Sequence, residues 1–349
     1  MPSSMENYLN NTDFLKIREV IDQSRRIIIT THMNPDGDAI GASLAMFLYL
    51  KKRGFSVKVI IPDAYPGFLA WLPSAGEILI FEKQPDESRV FLRESDLIIC
   101  LDFNNLSRLN GLGKEIEGSS SVRILIDHHL YPGEEFNYKI SFSKISSTSE
   151  LIYDFIAESG YRELIDKEIA ECLYTGIVTD TGSFSYSCNY VKTYVITAEL
   201  FRLGIDGEHI HRLIYDTYSE NRLRLLGYAV SEGLTVLSEY HTAYITLTRK
   251  DLERFSYQVG DTEGVVNYAL SIKGINLAAL FMEREDHVKV SFRSKGKFSV
   301  DRLAREHFGG GGHNNASGAN CQMTITGTIS KFLSLLPGFM DKLENVYND

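Results

Sequence analysis

Four short segments of this chain carry residues of the types that hold divalent cations. His32, Asp36 and Asp38 lie within the run His32-Met33-Asn34-Pro35-Asp36-Gly37-Asp38. Asp102 follows the apolar run Leu97 to Leu101, Asp127, His128 and His129 are consecutive, and Asp180 stands in Thr179-Asp180-Thr181-Gly182. Imidazole and carboxylate without thiolate suit manganese, iron or zinc, and do not make a cysteine-type zinc site. Pro35 and Gly37 let the first segment wrap around a cation. Five carboxylates in one crevice repel one another and take up protons unless cations offset them. Two divalent cations provide that offset, and a pair of such ions clamps both oxygens of a phosphoryl displacement. The expected chemistry is two-metal hydrolysis of a phosphate ester.

The elements that must position these groups can be read from the pattern around them. Arg26 to Thr31, Val57 to Ile61, Leu97 to Leu101 and Val122 to Ile126 are short β-branched, apolar runs and read as buried strands. Asp38 to Arg53, stopping at Gly54, has apolar residues at helical spacing. Glu150 to Glu158, Lys167 to Val178 and Lys192 to Leu203 also read as helices. Strands alternating with helices predict an α/β fold, a parallel sheet with helices on both faces. In such a sheet ligands bind beyond the carboxyl ends of the strands, where three of the four segments fall. A single Asp after a strand is ordinarily a helix N-cap or a turn residue. That reading stands for Asp36 or Asp102 taken alone, and it does not account for four segments together.

Beyond about residue 224 the texture shifts to strand-like runs, Leu234 to Leu247, Asn276 to Phe281 and His287 to Phe292. The expected organisation is a catalytic domain over 1–190, a helical connector over 191–223 and a smaller mixed α/β domain over 224–349. Length supports two domains: 349 residues at roughly 100–200 per domain. The formal net charge of -10 argues against a grip on long duplex nucleic acid, which needs summed positive charge. Cys100, Cys172, Cys188 and Cys321 form no C-x-x-C pair, which points to a reducing compartment. No apolar run is long enough to span a bilayer, and the N-terminus lacks a signal-peptide pattern, so a cytoplasmic protein with no membrane partner is expected. The oligomeric state stays open, a homodimer included.

The second half supplies the positive charge that the first lacks: Arg293, Lys295, Lys297, Arg302 and Arg305. Arg293, beside the run His287 to Phe292, is the expected contact to a substrate phosphate, because guanidinium binds phosphate bidentately. Gly309 to Gly312 precede His313. The backbone N–H groups of Gly310, Gly311 and Gly312 are the candidate anion nest. The Asn314-Asn315-Ala316-Ser317-Gly318 run reads as the start of a helix. Arg108 either reaches the crevice or opens the next helix, and Asn104 or Asn105 is a further candidate for holding substrate.

THMNPDGDAIGAS, the LDFNN segment, LIDHH and TGIVTDTGSF resemble the four motifs of the DHH phosphoesterase family. The segment FRSKGKFSVDRLAREHFGGGGHNNASG resembles its associated DHHA1 domain. Length and ending look most like the stand-alone nanoRNase and pAp-phosphatase group. The resemblance implies that His32, Asp36 and Asp102 hold one metal and that Asp38, Asp102, His128 and Asp180 hold the other, with Asp102 bridging. It also implies that His129 faces the transferred phosphate, that Asp127 supports a histidine, and that His313 binds the terminal phosphate. The implied substrates are short oligonucleotides (nanoRNA) or 3′-phosphoadenosine 5′-phosphate. Alternatives are a cyclic-di-AMP or pApA phosphodiesterase, an exopolyphosphatase-like enzyme, and a non-catalytic nucleotide- or RNA-binding module. The intact acidic set argues against the last.

Overall fold

The computed structural model describes residues 11–186 and 188–347, and the chain divides into two compact units, 1–217 and 218–349. The division falls inside the stretch expected to be a connector.

In the first unit, β1 (Arg26–Thr30), β2 (Ser56–Ile61), β3 (Leu79–Ile80), β4 (Leu97–Leu101), β5 (Val122–Asp127) and β6 (Tyr138–Ser141) form one sheet in the order β3-β2-β1-β4-β5-β6. Every neighbouring pair is parallel. Its helices are α1 (Asn11–Gln23), α2 (Gly37–Lys52), α3 (Pro85–Glu94), α4 (Asn110–Glu117), α5 (Thr148–Ile156), α6 (Lys167–Asp180), α7 (Val191–Arg202) and α8 (Gly207–Tyr215). Successive strand side chains alternate between two cores. Ile27, Ile29, Ile99 and Ile126 pack with residues of α1, α2, α5 and α6. Ile28, Ile98, Cys100 and Leu125 pack with Leu92 of α3 and with Leu112 and Ile116 of α4. Burial on both faces is why these strands are continuous apolar runs. The strand order reverses direction between β1 and β4, which opens a crevice at their carboxyl ends. The short β3 and the half-exposed β6 lie at the two sheet edges and carry little apolar signal.

Helices α2 and α6 run antiparallel, and glycines set how close they come. A Cβ on Gly41 would lie 2.5 Å from the Cys172 carbonyl oxygen. One on Gly176 would meet Ser149 and stand 2.6 Å from Asp38 Oδ1, and one on Gly37 would strike Thr179. This approach sets the first turn of α2 beside the last turn of α6, and so Asp38 beside the end that carries Asp180.

The second unit contains a mixed sheet of β7 (Leu234–Leu237), β8 (Thr242–Leu247), β9 (Leu277–Glu283), β10 (Val288–Ser294), β11 (Gly311–His313) and β12 (Ala316–Cys321), ordered β11-β12-β10-β9-β8-β7. Only the β8–β9 pairing is parallel. Its helices are α9 (Glu220–Ser231), α10 (Arg249–Arg254), α11 (Val265–Leu270), α12 (Val300–Phe308), α13 (Ile325–Leu335) and α14 (Met340–Glu344). Phe281, Val290 and Phe292 face α12 and α13, while Ala278, Leu280 and Met282 face α9 and α11. The run expected to start a helix at Asn314 instead turns and forms β12, because its small residues admit close antiparallel pairing with β10 and β11.

Gly41→Ala should lower stability by about 1–3 kcal/mol, the usual cost of overpacking against backbone. Gly67→Ala, with nothing within 4 Å of its added Cβ, should stay within about 0.5 kcal/mol of the parent. Urea melts of the two variants check this.

Candidate metal centre and phosphate-binding strands

The chain ends of β1, β4 and β5 fall next to one another because the strands are in parallel register. Thr30 pairs with Cys100 and Leu101 with Ile126, so His32, Asp102 and Asp127 leave the sheet side by side. His32 Nε2 lies 3.5 Å from Asp102 Oδ2, and His128 Nε2 lies 3.4 Å from Asp102 Oδ1. His128 Nε2 is also 3.5 Å from Asp180 Oδ2 and 3.8 Å from Asp38 Oδ2. His32, Asp36 and Asp102 offer ligand atoms within 4.8 Å of one another, and so do Asp38, Asp102 and His128. Asp102 belongs to both groups, one oxygen turned to each.

The backbone is bent to allow this. Asp102 has φ 63°, a left-handed conformation that costs a non-glycine residue about 1–3 kcal/mol and marks functional sites. Asn34 is also left-handed, at φ 52°, and its N–H donates to both oxygens of Asp63, at 2.8 and 2.9 Å. Asp63 follows β2 at the same end of the sheet, where the rule that found the other acids also applies. Asp36 is the N-cap of α2, its Oδ1 accepting from the N–H groups of Asp38 and Ala39. The cap role and membership of the His32 group coexist in one carboxylate.

Each histidine is oriented by its other nitrogen. His32 Nδ1 lies 2.8 Å from the Met33 carbonyl oxygen, and His128 Nδ1 lies 3.4 Å from that of Ile145. A ring that donates Nδ1–H to a carbonyl turns Nε2 toward the carboxylates as a metal ligand. In His129 the arrangement differs, with Nδ1 2.7 Å from Asp127 Oδ1. Asp127 Oδ2 is buried with no hydrogen-bond partner among the described residues. Asp127 thus reaches the centre through His129.

Burial and repulsion dominate the electrostatics. Burial, with the charges of Asp102 and Asp180, raises the Asp38 carboxyl well above its ordinary range. Burial and the charges of Asp36 and Asp102 push Asp180 up to about 7, against the pull of His128. Burial opposes charge on His128, yet Asp180, Asp102 and Asp38 overcome it and raise that imidazole well above its usual value. His32 is raised against burial by Asp102 and Asp36, with Arg108 acting in the opposite sense. Asp102 resists burial through hydrogen bonds with His128 and His32 and the charge of His129, which hold it well below the carboxylate range. Burial and crowding thus favour proton uptake at a site whose acids and imidazoles are arranged for cations. The donor set, oxygen and nitrogen in two groups sharing one carboxylate, fits two divalent ions.

Other expected contacts divide. Arg108 sits in a short 3-10 turn, its carbonyl accepting from the Met33 N–H and its charge felt at His32. The Asn104 amide donates to the Leu130 carbonyl at 2.5 Å, and Asn105 caps the turn that contains Arg108. Both asparagines thus brace loops. Thr148 and Ser149, not singled out from the sequence, donate backbone N–H groups to Asp38. The S-x-x-E pattern from Ser147 to Glu150 signals the helix start that places them.

In the second unit, Arg293 lies within β10 opposite Ala316 of β12, and Ala316 is opposite His313 of β11. Paired residues share a face, so Arg293 and His313 flank a methyl group in one row, their Cα atoms roughly 10 Å apart at two strand spacings. The glycines serve packing first. A Cβ on Gly310 would overlap the Gly318 carbonyl and one on Gly312 would crowd that of Ala316. The Gly310 N–H donates to the Ala304 carbonyl and the Gly312 N–H to Asp301 Oδ1, so neither serves an anion nest. Arg302 pairs with Glu306, Arg305 with Asp301, and Lys295 donates to the Ile275 carbonyl.

If protons stand in for cations, Mn2+ binding at pH 7 must expel them, because metal ligands bind deprotonated. Calorimetric titrations in two buffers of different ionisation enthalpy should give different apparent heats. Equal heats would mean that no proton leaves.

Residues 26–177 match the model of the DHH family N-terminal domain, and residues 239–342 match that of the DHHA1 domain. A protein of Streptococcus mutans named probable bifunctional oligoribonuclease and PAP phosphatase NrnA is 30% identical over 313 residues, 88% of this chain and 94% of its own. A Thermus thermophilus protein named bifunctional oligoribonuclease and PAP phosphatase NrnA is 32% identical over 84% of this chain and 83% of its own. The crystal structure of an exopolyphosphatase-related protein from Bacteroides fragilis superposes with a TM-score of 0.91 at 40% identity, covering 97% of this chain and 99% of that one. The motifs at the sheet's carboxyl end, the second-unit strands and these likenesses agree, and the chain belongs to the DHH family of phosphoesterases.

Proposed function

We propose that the protein hydrolyses the phosphate esters of very short oligoribonucleotides and of 3′-phosphoadenosine 5′-phosphate, with two Mn2+ ions as its cofactor. The observation that carries this reading is Asp102, held left-handed with one oxygen toward each of two ligand groups. The substrate class is taken from relatives about 30% identical that are named for those two activities. His32, Asp36 and Asp102 would hold one ion, and Asp38, Asp102, His128 and Asp180 the other. Bound there, the ions supply Lewis-acid activation of water and of the phosphoryl oxygens.

The chain's own groups do the rest. His129, with Nδ1 directed to Asp127, offers its other nitrogen to the substrate. Arg293 and His313, in one row of the second sheet, take a terminal phosphate, and Ala316 between them leaves room for it. A net charge of -10 favours small anionic substrates bound by such local groups over long duplexes. Four buried, unpaired cysteines support a cytoplasmic location.

Purified protein with Mn2+, Mg2+ or Co2+ should consume labelled di- and trinucleotides and 3′-phosphoadenosine 5′-phosphate in preference to cyclic-di-AMP and polyphosphate. If dinucleotides, 3′-phosphoadenosine 5′-phosphate and linear pApA all stay intact, the reading is wrong. Asp102→Ala should keep the circular dichroism of the parent and lose turnover by at least about a thousandfold, the upper end for removing one charge-stabilising group. Arg293→Ala and His313→Ala should raise KM about tenfold or more with a smaller change in kcat, the pattern of a lost binding contact.

A further inference from the structure

The N-terminus of α5 holds two of the acids of the centre at once. The Thr148 N–H donates to Asp38 Oδ2 at 2.6 Å and the Ser149 N–H to Asp38 Oδ1 at 2.9 Å. The Thr148 hydroxyl donates to Asp102 Oδ1 at 2.9 Å. Thr148 is fully buried, so its hydroxyl competes with no solvent. Its donation falls on the Asp102 oxygen that faces His128, and not on the one that faces His32. Asp38 also lies on the His128 side. These three donations therefore all fall on the side of the centre formed by Asp38 and His128.

The cradle itself is braced. Ser147 caps the helix by accepting from the Glu150 N–H. Glu150 Oε2 in turn accepts from the hydroxyls of Ser146, at 2.6 Å, and Thr193 of α7, at 2.9 Å. Gly176 leaves the space in which Ser149 and Asp38 meet. Each carboxylate oxygen has a second lone pair for a cation after accepting one N–H or O–H.

We propose that Thr148 is a positioning residue. Its hydroxyl and its N–H lock Asp102 and Asp38 in one relative geometry, and thereby set the affinity for the cation held by Asp38, Asp102, His128 and Asp180. The inference rests on the assignment of those residues as ligands. Outer contacts of this kind are worth about 10–100-fold in metal affinity.

The test compares Thr148→Val, which keeps the shape and the N–H but removes the hydroxyl, with Thr148→Ser, which restores it. Mn2+ binding is followed by calorimetry and by electron paramagnetic resonance of the bound ions, with metal-free thermal melts alongside. In Thr148→Val one of the two Mn2+ affinities should fall about 10–100-fold while the other stays near the parent value. The exchange-coupled two-ion signal should appear only at higher Mn2+, and Thr148→Ser should return both. If Thr148→Val does not melt cooperatively, Thr148→Ala takes its place against the same serine control. Parent-like isotherms in the variant overturn the inference, as does equal weakening of both ions or a loss that serine does not rescue. If the parent itself binds no Mn2+, the ligand assignment falls too, which separates that failure from a parent that binds two ions and a variant that binds them identically.

Discussion

Negative charge at close range is the constraint on which the rest of the molecule depends. Asp36, Asp38, Asp102, Asp127 and Asp180 gather at the carboxyl end of one sheet, and the burial of Asp38, Asp102 and Asp127 removes much of the water that would screen them. The chain meets the repulsion with three histidines, the N-terminus of α5 and the cap of α2. What these do not offset raises the Asp38 and Asp180 carboxyls above their ordinary range. The same imbalance gives divalent cations their place.

Holding such a cluster demands a rigid frame. The apolar strands beneath it are buried on both faces, and the glycines of α2 and α6 let two helices come close enough to bring their acids together. The left-handed Asp102 is tolerated because its backbone N–H is bound to the Ile126 carbonyl and its side chain to Thr148, His32 and His128. Strain at one residue is held by many contacts around it. Within the Asp127-His128-His129 run the labour divides by direction: His128 turns Nε2 to the acids, while Asp127 acts on His129.

The second unit solves a different problem with similar means. Its glycine run packs a short strand against β12, and Asp301, itself buried, holds the Gly312 N–H and the Arg305 side chain. The small side chains along β12 leave Arg293 and His313 as the larger groups of their row.

Much of this was written in local sequence. The buried strands, the main helices, the Asp36 cap and the four acidic segments are short-range signals, because apolar runs and strand-end residues report their own surroundings. The two edge strands, the strand formed by Ala316 to Cys321 and the use of the glycine run were not legible. They depend on pairing partners, since Gly310 is required by Gly318 and not by its neighbours. The partners of the acids were also beyond the sequence. Thr148 lies 110 residues from Asp38 and 46 from Asp102, and nothing near Thr148 indicates which carboxylates its helix will meet. The sequence determined which residues can bind cations and which strand ends deliver them. Only the tertiary structure decided how those charges are shared, because separation in space, and not along the chain, governs repulsion and hydrogen bonding.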